Sequence, residues 1–130
     1  MSWTNILKVD IDEARKLGEK YAPKEMKEFR KNQMRKEIDN MRNHVYSVAH
    51  DELITIRRMS DFPEKEKAIQ FILDKVEIVK KMHPYKYISD NINRDNKESY
   101  NELKIKLRTI INSIITERQL AQAREAAHLA

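Results

Sequence analysis

Only one glycine, Gly18, occurs in 130 residues, and the three prolines stand beside charged amphipathic runs: Pro23 and Pro63 ahead of one, Pro84 behind one. Without glycine a chain has few ways to turn tightly, and proline held at boundaries leaves helix interiors intact. Such a sequence folds as long helices with few connections. The same scarcity removes phosphate-cradling loops, dinucleotide fingerprints and nucleophile elbows, all of which need several glycines at fixed spacing.

Apolar spacing divides the chain into four segments. Trp3, Leu7, Ala14, Leu17 and Tyr21 recur at helical intervals, and Asp10 with Glu13 forms a capping box, so a shorter N-terminal helix is expected within 1–22. Pro23 suits the first turn of a second helix, which the series Met26, Phe29, Met34, Ile38, Met41, Val45, Val48, Ala49, Leu53 and Ile56 carries to about Met59. From Met34 to Val48 the steps are 4, 3, 4 and 3, a heptad seam two repeats long. Asp61 and Glu64 offer a box for a third helix to about His83. Pro84 stops it, and Asp95 with Glu98 offers a box for the last helix. No strand pattern of useful length occurs. The expected fold is all-α: one domain over 1–130, an antiparallel bundle of three long helices with the N-terminal helix packed against it, and a helical tail over 120–130.

Charged residues make up 36% of the chain, but their signs alternate and Ile and Leu interrupt them at helical spacing, which describes solvated helix faces and not disorder. The absence of cysteine gives no disulfide framework, and the first residues lack the pattern of a secretory leader. No run reaches ~18 apolar residues. These features lead us to expect an intracellular, cytoplasmic protein that does not enter a membrane.

Of the four histidines, only His128 stands in a metal-like pattern, Glu125-x-x-His128. Di-iron bundles need that element twice, with further glutamates. His50, Asp51 and Glu52 are consecutive and point in different directions on a helix. The stretch Asp90 to Asp95 lacks the glycine of a calcium loop and has Ile92 where an oxygen ligand belongs. Glu98 and Glu102 suit the positive end of a helix better than acid–base catalysis. Neither a catalytic residue nor a metal, cofactor or small-molecule substrate is expected, and the chain reads as a non-enzyme.

Two features point to macromolecular partners. The net charge is +5, and Lys16, Lys20, Lys24, Lys27, Lys31 and Arg35 step by 4, 4, 3, 4 and 4, a cationic stripe within residues 15–36 that could follow the phosphates of nucleic acid without reading bases. The plain alternative is a solvated outer face. Helix-turn-helix reading of bases is disfavoured, because the third helix opens on Glu64-Lys65-Glu66-Lys67. Lys81, Tyr85, Lys86 and Tyr87, at the start of the loop 84–95, interleave charge and rings: the two tyrosines after a helix-ending proline suit folding back over the end of the bundle, and the alternative is a contact site for single-stranded bases.

The third helix is apolar on more than one side, with Phe71, Ile78 and Met82 forming a stripe separate from Ile69, Ile72, Val76 and Val79. We therefore expect a non-enzymatic interaction or assembly module that self-associates through Phe71, Ile78 and Met82 or meets a helical protein partner. The alternative is a sequence-nonspecific nucleic-acid-binding protein.

Overall fold

The computed structural model describes Lys16, residues 23–83 and residues 97–130. Three helices, α1 (Pro23–Arg57), α2 (Lys65–Lys81) and α3 (Lys97–Leu129), hold most of these residues, and no strand occurs among them. Each helix packs on the other two. The expectation of three long helices needs correction: α1 and α3 run for 35 and 33 residues, but α2 for only 17. The expected N-terminal helix lies outside the described residues, except that Lys16 is helical and exposed.

Long-range polar contacts fix the directions of the helices. Tyr100 and Lys104 both reach Glu37, Arg118 reaches Glu52, and Glu125 accepts a hydrogen bond from the Ser60 N–H. The separation in sequence between these partners stays within 63 to 67 along the whole length. A constant separation means that α1 and α3 run parallel, since antiparallel partners would keep a constant sum instead. The seven residues between α1 and α2 allow only a reversal, so α2 runs antiparallel to both.

The core follows from this arrangement. In α1, Ile38, Val45, Ala49, Leu53 and Ile56 are buried, with Met34, Met41 and Val48 half-buried beside them. The heptad seam therefore holds to Val45, after which the buried set moves to Ala49, Leu53 and Ile56. In α3, Tyr100, Leu107, Ile114 and Ala121 stand seven apart and are all buried, with Leu103 and Ile110 between them. That is a longer heptad seam than the one in α1. α2 inserts Ala68, Ile69, Ile72 and Val79 between the two. Its 17 residues span about 25 Å, close to the roughly 27 Å from Ile38 to Ile56 at 1.5 Å per residue.

The α1–α2 connection is held from both sides. Phe62 is buried, and the Lys65 ammonium donates to the carbonyls of Met59 at 2.7 Å and Arg57 at 3.4 Å, closing groups that the end of α1 leaves without helical partners. The Asp61–Glu64 capping box does not form. Glu64 occupies the N-cap without a side-chain bond to the helix, and Asp61 faces Lys65 at 3.5 Å instead. Burial of Phe62 sets the path of this turn and carries Asp61 away from the capping position. The Asp10 and Asp95 boxes lie outside the described residues.

Truncating Ile72, which is fully buried at the centre of α2, should cost about 2–5 kcal/mol. Ile78→Ala, on the exposed side of the same helix, should cost less than about 1 kcal/mol. Urea unfolding of the two variants checks the difference.

Candidate functional site

The cationic stripe lies in an unexpected place. Lys31 and Lys24 stand one and two heptads before Ile38, and Lys27 one heptad before Met34, so these lysines continue the core-facing side of α1 and not its outer face. At those positions the seam changes from apolar to charged. Lys24 and Lys27 are exposed, whereas Lys31 and Arg35 are half-buried. Lys20 lies outside the described residues. No described carboxylate forms a salt bridge with Lys24, Lys27 or Lys31.

One turn further along, Glu37 joins α1 to α3. Its carboxylate is 2.7 Å from the Lys104 ammonium and accepts a 2.5 Å hydrogen bond from the buried Tyr100 hydroxyl, while Lys104 also lies over the Tyr100 ring. The Lys104 bond, followed by the Tyr100 bond, holds the Glu37 carboxyl below its ordinary value of 4.5. Burial, followed by the Glu37 bond, pushes the Tyr100 phenol well above 10. Beside this cluster lies a shallow groove of about 350 Å³ between Glu37, Asn40, Met41, His44, Arg108 and Ile111. It is wide open to solvent.

The opposite end of the bundle is occupied by ion pairs. Arg118 bonds Glu52 and Gln122, and Arg124 pairs with Glu64 at 3.0 Å and Glu117 at 3.7 Å. Glu117 and Arg124 continue the row of Leu103 and Ile110 at heptad spacing, so one of the two rows of the α3 seam passes into charge while the other stays buried to Ala121. With Glu125 engaged by Ser60, the Glu125–His128 pattern is drawn into the turn. Among the described residues no group of three or more His, Cys, Asp or Glu is placed to hold a metal ion. No described helix is long and apolar enough to cross a membrane.

The residues expected to mediate self-association are only partly available. Phe71 and Met82 pack against the core edge, with the Lys75 ammonium 5.1 Å from the Phe71 ring centre, and Ile78 alone is exposed. Of the loop contact residues, Lys81 is exposed and 3.9 Å from Glu77, and Tyr85, Lys86 and Tyr87 lie outside the described residues.

A second surface escapes a search for apolar stripes. Along the back of α3, Ile105, Thr109, Asn112, Thr116, Gln119, Ala123 and Ala126 step by 4, 3, 4, 3, 4 and 3, and every one of them is exposed. None is charged, in a chain where more than a third of residues are. Charge depletion at heptad spacing is the signal that would have found it.

No protein-family model, curated protein or solved structure matches this chain.

The lowered Glu37 value means that ionised Glu37 favours the folded state. Its stabilisation is full above about pH 4.5 and disappears as pH falls through the lower folded value. The Tyr100 shift has the opposite sign, giving stability that is full below pH 10 and lost at higher pH. Because Glu37 is partly exposed, Glu37→Gln should cost less than about 1 kcal/mol at neutral pH. Variant and parent should converge in acid, as measured by urea unfolding across pH.

Proposed function

We propose that the chain is a non-enzymatic helical assembly module that pairs with a second copy of itself through the back of α3. The charge-free row from Ile105 to Ala126 carries this reading. Depletion of charge distinguishes the centres of interfaces from ordinary surface, because no ion has to lose its hydration when the surfaces meet. Small side chains such as Ala123, Ala126, Thr109 and Thr116 let two helices approach closely, and Ile105 and Leu120, both exposed, supply apolar anchors.

The composition of the row also favours a second copy over an unrelated partner. Amides and hydroxyls both donate and accept hydrogen bonds, so Asn112, Gln119, Thr109 and Thr116 can each bond their own kind across a two-fold axis. A row of lysines or glutamates would repel its symmetry mate. The 4 and 3 steps are those of a left-handed helical pair.

Light scattering across a concentration series should give twice the chain mass of 15.6 kDa in the micromolar range. Asn112→Lys with Thr116→Lys should return the protein to a monomer without loss of helicity. Ile78→Lys, placed on the exposed side of α2, should leave the dimer intact; if it alone abolishes pairing, α2 is the interface and the α3 reading is wrong. A parent protein that stays monomeric at high micromolar concentration removes the proposal altogether.

A further inference from the structure

We propose that the N-terminal part of α1 is a cationic arm that holds the phosphodiester backbone of nucleic acid. Three observations lead there, each independent of the pairing surface on α3.

The first is where the arm stands. Register places the start of α3 beside residues 30–34 of α1, and α2, whose length matches Ile38 to Ile56, ends below them. Residues 23–33 therefore extend past the packed part of both described neighbours, and apart from Met26 and Lys31 all of them are exposed. Lys24 and Lys27 point from the core-facing side into space that neither α2 nor α3 occupies.

The second is how charge is distributed along the bundle. The arm end, comprising residues 23–43, 77–83 and 97–108, carries thirteen basic and seven acidic residues. The turn end, 44–76 with 109–130, carries seven basic and eight acidic. All of the chain's positive excess thus lies at one end, where Lys80 and Lys81, at the close of α2, are also exposed. Lys24, Lys27, Lys31 and Arg35 cover about 16 Å of helix, a length over which duplex DNA presents roughly ten phosphate charges.

The third observation separates a phosphodiester line from an anionic lipid surface. An interfacial helix needs a broad apolar face to bury below the headgroups. Over residues 23–33 the arm has only Met26 and Phe29. Flexible ammonium groups suit a line of phosphates, and nothing on the ridge is built to read base edges, so binding should be indifferent to sequence.

The test is fluorescence anisotropy with a labelled duplex of about 20 base pairs, titrated with the full chain at several salt concentrations from about 50 mM upward. Contact with three or four phosphates predicts a log–log salt slope of about −3 to −4. Lys24→Glu, Lys27→Glu and Lys31→Glu combined should weaken binding at least about tenfold and flatten the slope by roughly three. Arg58→Glu with Lys67→Glu, exposed residues of the turn end, should change affinity less than about twofold. Circular dichroism on both variants separates lost binding from lost helix. The inference is overturned if the parent fails to bind at low salt, if the arm variant binds as the parent does, or if the turn-end variant loses as much. Phosphatidylserine vesicles bound in preference to the duplex would overturn it in favour of a lipid surface. A monomer that holds DNA would defeat the pairing proposal alone, and a dimer indifferent to DNA would defeat this one alone.

Discussion

Burial of one face of α2 between two parallel helices is the contact on which the rest of the structure depends. α1 and α3 cannot follow one another in the same direction unless the chain returns between them, and the return must cover the apolar sides of both. Ala68, Ile69, Ile72 and Val79 do this within 17 residues. Apolar surface left beyond the reach of α2 would stay wet, so the useful length of the core is set by the shortest helix and not by the two long ones.

At the arm end this limit explains why the seam of α1 passes into charge. The positions that bury Ile38 and Val45 in α1 hold Lys31 and Lys24 when followed backwards. The positions that bury Leu103 and Ile110 in α3 hold Glu117 and Arg124 when followed forwards. The periodicity persists while the chemistry changes, so α1 and α3 continue as helices beyond the core without exposing a hydrophobic strip. At the turn end the charges pair with one another, through Arg124, Glu64 and Glu117. At the arm end Lys24, Lys27 and Lys31 have no such pairing among the described residues, and this asymmetry is what gives the two ends different prospects.

Much of this architecture could be read in the sequence. The helix beginning at Pro23, the seam around Ile38 and Val45, and the reversal near Pro63 follow from proline placement and apolar spacing, which act locally. The length of α2 and the orientation of the lysine ridge could not be read, because both depend on which stretch of α1 meets a neighbour. A stripe of lysines has the same spacing whether it lies on an outer face or continues a core. The placement of the second apolar stripe of α2 depends on its neighbours in the same way: Phe71 and Met82 rest on the core edge once two larger helices flank them, while Ile78 stays exposed. The α3 row is hard to read in the sequence because its signal is an absence of charge and not a run of hydrophobic residues.

The parallel course of α1 and α3 has an electrical consequence. Peptide dipoles within a helix add to about half an elementary charge at each terminus, positive at the amino end. Among the described helices two long ones point one way and the short one points the other, so their dipoles do not cancel and a net moment survives along the bundle axis. Its positive pole lies at the end that already holds the excess of lysine and arginine. In the described part of the chain, backbone and side chains therefore reinforce one another at that end. Within about 10 Å of an anionic body, the distance over which salt leaves such a field intact, the moment favours approaches that present this end first.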